Sequence, residues 1–404
     1  MTNVNYYLWL RLALGPGAEN TGLIFENFSS SEEIYRATDT ERKLSGVFKP
    51  VQIERMKSVE IEETYEVMRD CAAAGVDILL PTDDDYPELL LQIPDYPIVL
   101  FVKGSLDVLK SHIPFAVVGT REPADRSMSA ASELAKALTK CGFVIVSGGA
   151  IGIDAAAHTG ALAVGGSTVA VLGCGHSNPY LKENAPLRDV ISQNGATISE
   201  YPPFVPPHRG TFPIRNRIIS GMTVGTAVIE AQIKSGSLIT AKHATNQNRD
   251  IFAVPAMELG RSSEGCTQLL EDGAKELLCP LDVVGTYLKD YADKIRIDET
   301  ANLSLRLTEP GFGGIEFEQA EIISQHEALE KERADRKKPV KRDIADPLSE
   351  DAVKVYAAFS RDPISIKQLT ESVIMPTSSL LGALTELELY GYIELLPNTK
   401  YSVK

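Results

Sequence analysis

Residues for metal or disulfide chemistry are scarce in this sequence. Its 404 residues include five cysteines and six histidines. Cys71, Cys141, Cys174, Cys266 and Cys279 are scattered without a C-x-x-C pair, which excludes a disulfide framework and a thiolate zinc site. Cys174 and His176 lie close together, but no further ligands cluster with them, so they read as a buried small residue and a loop histidine. Long apolar runs are missing as well. No segment approaches the ~20 residues that cross a bilayer, and Met1 to Leu14 has neither a basic segment before an apolar stretch nor a small-residue cleavage site. A cytoplasmic protein is expected. The sequence also lacks G-x-x-x-x-G-K-[ST] and G-x-G-x-x-G, hence any ATPase phosphate loop or dinucleotide fingerprint. No catalytic residue, cofactor or metal is expected.

Positive charge is the other deficit. The chain carries a formal charge of −15, divided as −9 over residues 1–113, −1 over 114–285 and −5 over 286–404. A strongly basic domain is the usual footprint of nucleic-acid binding, and composition argues against one here. Only a local pocket can be positive. Acidic flanks would then discourage polyanion binding elsewhere on the surface.

Such a pocket is suggested by Phe212-Pro213-Ile214-Arg215-Asn216-Arg217-Ile218-Ile219, where two arginines flank an asparagine. Guanidinium groups stay charged and present a planar fork of donors that suits phosphate. Three other segments have small-residue turns: Val117-Val118-Gly119-Thr120-Arg121, Ser147-Gly148-Gly149-Ala150 continuing to Asp154, and Ser235-Gly236-Ser237 continuing to Ala241. Each reads as a strand running into a turn that opens a helix, leaving backbone N–H groups at the positive end of the helix dipole.

From Pro81 the pattern alternates. Ile98 to Val102, Phe115 to Gly119, Phe143 to Ser147, Thr168 to Gly173, Ala196 to Ser199, Val224 to Glu230 and Ile251 to Val254 read as strands. Met128 to Cys141, Asp154 to Val164, Ala185 to Asn194 and Ser237 to Gln247 read as helices. Continuous apolar strands separated by helices specify a parallel sheet covered on both faces, with ligands at the carboxyl ends of the strands. Each motif falls at such an end, which puts Arg121, Ser147, Glu200 and Ser235 on one rim. Before this region, short helices broken by Gly15-Pro16-Gly17 form a small all-α module, whose many glutamates favour docking over a grip on DNA. After it, the mixed-charge run Glu327 to Asp343, with Lys337 to Arg342 as a basic cluster, reads as a linker. Helices at Val353 to Phe359, Ser365 to Ser372 and Thr377 to Leu389, followed by a hairpin of Tyr392 to Leu395 with Tyr401 to Val403, look like a winged helix.

These motifs together resemble the DprA/Smf DNA-processing family of bacteria. The resemblance rests on Gly119-Thr120-Arg121, Ser147 to Asp154 with His158, Ala170-Val171-Leu172-Gly173-x-Gly175, Ser199-Glu200, Phe212 to Ile219, Glu230-Ala231 with Ser235 to Thr240, and Ala253-Val254-Pro255, in that order. The chain departs from the pattern at Gly149, Leu181, Ala256 and Cys266-Thr267. The resemblance implies an extended Rossmann-like parallel sheet with a small all-α, sterile-alpha-motif-like domain before it and a winged helix after it. Boundaries are expected at 1–75, 80–287, 288–347 for the linker, and 348–404. The implied function is single-stranded DNA binding, as a homodimer, with transfer of the strand to RecA past a single-strand-binding protein during transformation. Candidate DNA contacts are Gly119, Thr120, Arg121, Ser147, Gly148, Gly149, Phe212, Arg215, Asn216, Arg217, Lys234, Ser235, Gly236, Ser237 and Lys242.

An enzyme is the competing reading. The glycine turns also look like those of nucleotide-monophosphate phosphoribohydrolases, but Gly225-Thr226-Ala227-Val228-Ile229-Glu230 lacks the Pro-Gly-Gly start of that family's loop and sets its glutamate one residue late. Asp154 and His158, four apart, are read as a contact fixing a helix start rather than an acid–base pair. Glu200 and Glu230 are expected to orient Arg215 or Arg217. Phe212 stacks an unpaired base if it is exposed and is core if it is buried.

Overall fold

The structure is a computed structural model that describes residues 2–178, 182–256, 263–298, 300–307, 319–328, 331, 348–360, 363–373, 375–396 and 400–403. It divides into two compact units, Met1–Ile323 and Ser324–Lys404.

The first unit is built on a nine-stranded sheet. Its strands are β1 (Asp77–Leu79), β2 (Leu100–Gly104), β3 (Ile113–Val118), β4 (Phe143–Ser147), β5 (Thr168–Leu172), β6 (Gly195–Ser199), β7 (Gly225–Val228), β8 (Asp250–Ala253) and β9 (Lys275–Glu276), in the order β1-β2-β6-β5-β4-β3-β7-β8-β9. From β6 to β9 every pairing is parallel, and β2 runs antiparallel to both β6 and β1. Successive side chains point to opposite faces of a strand, and here both faces are buried. Phe115, Val117, Phe143, Ile145 and Phe252 pack under helices Asp125–Lys140, Ile153–Ala163 and Pro280–Tyr287. Ala116, Val118, Val144, Val146, Val169 and Val228 pack under helices Thr211–Gly221 and Gly236–Asn246. This accounts for strands that read as unbroken apolar runs. The chain leaves β3 on one side for β4 and returns on the other at β7, so the carboxyl ends of β3 and β7 flank a topological switch point.

Six short helices between Asn3 and Ala74 form the amino-terminal module. Trp9 anchors its core, edge-on to Tyr35 with centroids 5.0 Å apart and its indole N–H donating to Val59 O at 3.0 Å. The same core takes in Ile98, Val99 and Phe101. Module and sheet are therefore packed as one body, and the boundary read near residue 75 is no break in packing.

The linker read from residue 288 begins later than composition suggests. Ile295, Ala301 and Leu307 are buried against the sheet's helices, because apolar residues spaced along that polar stretch dock individually. The Lys337 to Arg342 cluster lies outside the described residues. In the second unit, helices Glu350–Ala357, Ile366–Ser372 and Thr377–Leu389 accompany strands β10 (Ile364–Ser365), β11 (Ile393–Leu395) and β12 (Lys400–Val403), which pair in the order β10-β12-β11. Leu380, Ala383, Leu384 and Leu387 of the third helix form its core.

Candidate nucleic-acid interface

A cavity of about 310 Å³ opens at the switch point, lined by Gly119, Thr120 and Arg121 after β3, Asp154, Phe212, Arg215 and Asn216, and Ser235, Gly236, Ser237 and Thr240 after β7. Glu230, just past β7, fixes its β3 wall. Its carbonyl accepts from Thr120 N at 2.9 Å and its carboxylate accepts from Ala124 N at 2.9 Å. The sequence pattern assigns this glutamate an arginine to orient; the structure gives it the backbone of the Gly119 to Ala124 loop, whose N–H groups it satisfies. Gly152 must be glycine: its φ is +81°, and a Cβ there would stand 2.5 Å from Thr120 O.

Helix Thr211–Gly221 is absent from the elements that the sequence pattern predicts, and it separates what the sequence joins. Residues two apart on a helix point about 200° apart, so Arg215 and Arg217 face different ways. Arg215 turns to the cavity, 5% exposed. Its Nη1 donates to Gly148 O at 2.7 Å and to Val171 O, and its Nε donates to Asn216 Oδ1 at 3.0 Å. Asn216 Nδ2 in turn donates to Gly236 O at 3.1 Å. Together this pair staples the ends of β4 and β5 to helix Gly236–Asn246. Ser147 contributes from below, its hydroxyl donating to Val117 O at 2.6 Å. Gly148 lies where a Cβ would stand 2.5 Å from Asp154 Oδ2 and 2.7 Å from Arg215 Nη2.

Arg217 turns the other way and is not brought to the cavity. It is buried in an ion pair with Glu200 at 2.7 Å, both side chains 3% exposed, with Asp95 at 3.6 Å on its other side. The Glu200 carbonyl also accepts from Arg11 Nε and Nη2, at 3.1 and 2.6 Å, and its carboxylate accepts from Gly17 N at 3.2 Å. Glu200 does orient Arg217, but at the junction with the amino-terminal module. Lys234 is exposed and does not line the cavity. Lys242 lies on the far side of its helix, lining a separate cavity with Leu269, Asp272 and Lys275. Neither lysine converges on the rim.

Arg121 is exposed on the rim. Its guanidinium stands 5.1 Å from the Phe212 ring centroid, with that of Arg215 at 6.0 Å. The ring is half-buried, which leaves an aromatic surface beside fixed positive charge. Behind Phe212 a narrower cleft is lined by Gly149, Gly173, Gly175, His176 and Arg188. Sequence reasoning missed Arg188 because it stands alone in a helix; the position of that helix directly after the β5 rim was the available signal.

Asp154 is the acid of the cavity wall. Burial pushes its pKa up, opposed by the Arg215 charge, the Ser147 hydroxyl and the Ala150 N–H. It makes no pair with His158. The imidazole reaches across to β5 instead, its Nδ1 2.7 Å from Thr168 Oγ1, and burial pushes its pKa down to about 3. A neutral, buried ring of this kind is core structure, which corrects the expected Asp154–His158 contact.

Residues 77–287, from β1 through helix Pro280–Tyr287, match the family model described as DNA recombination-mediator protein A. The chain belongs to that family. Residues 339–398 match a second model, the DprA winged helix domain. Protein Smf of Synechocystis sp. is 34% identical over 344 residues, covering 83% of this chain and 82% of that protein. DNA processing protein DprA of Streptococcus pneumoniae is 43% identical over 205 residues, covering 51% of this chain and 72% of the relative. The crystal structure of DprA from the same species aligns at a TM-score of 0.61 and 34% identity, covering 70% of this chain and 98% of that one. No helix among the described residues is long and apolar enough to cross a membrane.

Proposed function

We propose that the chain binds single-stranded DNA at the switch-point rim and acts, without catalysing a reaction, as a mediator that passes the strand to RecA past a single-strand-binding protein. The observation that carries the binding half is the half-buried Phe212 with the exposed Arg121 guanidinium 5.1 Å from its ring centroid, beside the amino end of helix Gly236–Asn246. Cations and backbone N–H groups meet phosphate, while an aromatic face stacks an unpaired base. Double-stranded DNA hides its base faces and forgoes that second interaction. The RecA half, the homodimer and a cytoplasmic setting rest on family membership.

Oligonucleotide anisotropy across a salt series tests the binding half. The expected result is a preference for single strands, a negative slope of log K on log salt, and less than about 100-fold discrimination among unstructured sequences. Equal affinity for duplex and single strand at every salt would overturn it. Nucleoside monophosphates incubated with the protein should release no free base; release would favour the phosphoribohydrolase reading. Stimulation of RecA ATPase on strands coated with single-strand-binding protein tests the mediator half.

A further inference from the structure

The floor of the switch-point cavity holds a polar group that the fold does not use. Thr240 is 1% exposed and lines the cavity, yet among the described residues its hydroxyl has no hydrogen-bond partner. A threonine within a helix ordinarily turns its hydroxyl back to the carbonyl one turn earlier. Here that carbonyl is Gly236 O, which already receives Asn216 Nδ2 at 3.1 Å as well as its helical N–H. The hydroxyl is left to the cavity that Thr240 lines, one turn into an eleven-residue helix, Gly236–Asn246, whose Ser237 and Leu238 N–H groups are capped by Ser235 and whose positive dipole end still favours an anion.

Charge is divided across the cavity in a way that fixes which end takes the anion. In the sheet β3 lies between β4 and β7. Asp154 stands on the β4 side, held by Ala150 N at 3.3 Å and next to Arg215; Ser235 to Thr240 stand on the β7 side. The loop carrying Arg121 separates them. An anion is thus favoured beside Thr240 and disfavoured beside Asp154, where Phe212 offers a ring instead. At about 310 Å³ the cavity sits at the low end of small-molecule sites, ~300–1,000 Å³. That is room for one nucleotide and not for a stacked run.

Building on the proposed strand binding, we infer that this cavity is a one-nucleotide site that also takes a free nucleoside 5′-monophosphate. The phosphate lies at the amino end of helix Gly236–Asn246 within reach of the Thr240 hydroxyl, and the base lies toward Phe212. A labelled oligothymidine bound to the full-length protein is challenged with dTMP, thymidine or inorganic phosphate. dTMP is expected to displace it at least about tenfold more effectively than either fragment. Thr240→Val, which keeps the shape and removes the hydroxyl, should weaken dTMP about fivefold or more, and Thr240→Ser should restore it. If the strand binds but dTMP does not displace it, if thymidine or inorganic phosphate competes as well as dTMP, or if Thr240→Val behaves as the wild type, the one-nucleotide site is wrong and strand binding stands. If the strand itself fails to bind, strand binding is wrong, and calorimetric titration with dTMP decides this site separately.

Discussion

Replacing Glu200 with Gln keeps the size of the side chain and removes the charge that faces Arg217. The two side chains are each 3% exposed and 2.7 Å apart. Arg217 Nε and Nη1 have no hydrogen-bond partner among the described residues, and Asp95, at 3.6 Å, is a distant second counter-charge. Arg11 packs against the same glutamate, and its own pKa is lowered first by burial, with Glu200 opposing. Without the carboxylate, two guanidinium groups share a buried junction. Removing one partner of a buried ion pair costs about 3–5 kcal/mol, a large part of the ~5–15 kcal/mol that holds a typical domain folded. Trp9, the single tryptophan and 1% exposed in the amino-terminal core, reports the unfolding in a urea titration. Glu200→Gln and Arg217→Ala should each lower the unfolding free energy extracted from that titration by an amount in that range. The double variant Glu200→Leu with Arg217→Met should recover part of it, since an apolar pair replaces the buried ion pair while Arg11 loses the carboxylate that opposed its burial. Variants that remain folded should bind single strands as the wild type does. An Arg217→Ala protein that is destabilised by less than about 1 kcal/mol, yet binds strands more weakly with a flatter salt slope, would refute this reasoning and return Arg217 to the DNA-binding surface.

Arg121→Ala should do the reverse: the urea midpoint stays put because the side chain is exposed, while the salt slope of strand binding flattens by about 0.7 for each phosphate that is no longer neutralised. His158 and His176 are held neutral, burial pushing their pKa values down to about 3 and about 4. The unfolded chain takes up protons at those positions below about pH 6.5, so stability is full above that pH and falls by about 1.4 kcal/mol per unit for each histidine as pH drops toward the folded values. A urea midpoint that is flat between pH 7 and pH 5 would contradict it. A chain ending at Ala345 should keep its strand affinity within about threefold, under ~1 kcal/mol, because the unit Met1–Ile323 carries the rim and helix Thr377–Leu389 has two glutamates and no lysine or arginine. A tenfold loss in a folded truncation, measured by anisotropy at fixed salt, would assign DNA binding to the winged helix as well.

The sheet was legible because its strands are buried on both faces and so appear as unbroken apolar runs, several of them ended by glycine. The third helix of the second unit runs over Thr377–Leu389 as the leucine spacing predicts. Helix Thr211–Gly221 was not legible. Its first turn carries Pro213, which a helix tolerates there, and its polar centre, Arg215 to Arg217, conceals the period; both arginines are in fact buried. Long-range pairing hid the role of Arg217, whose partner lies seventeen residues away in sequence. The side of a helix on which Lys242 falls depends on what packs on the other, and local sequence does not state that.

The burial of Arg215 and Arg217 changes how a chain of net charge −15 can hold a polyanion. Arg215 directs its bonded donors to Gly148 O, Val171 O and Asn216 Oδ1, and Arg217 faces Glu200, so neither works as a surface cation. What they do is fix position. Arg215 sets where the Gly148 loop, Phe212 and helix Gly236–Asn246 stand relative to one another, and Arg217 fastens the opposite side of the Phe212 helix to the amino-terminal module. That module touches the same helix directly, since a Cβ on Gly17 would stand 2.6 Å from Ile214. On the proposed strand binding, anion affinity would come from a few preorganised groups, namely backbone N–H groups at helix ends and the exposed Arg121, with an aromatic face beside them. Such groups act over one or two phosphates, whereas a basic surface would act over many. On the proposed strand binding, the acidic remainder of the chain would disfavour a polyanion elsewhere and confine binding to the rim.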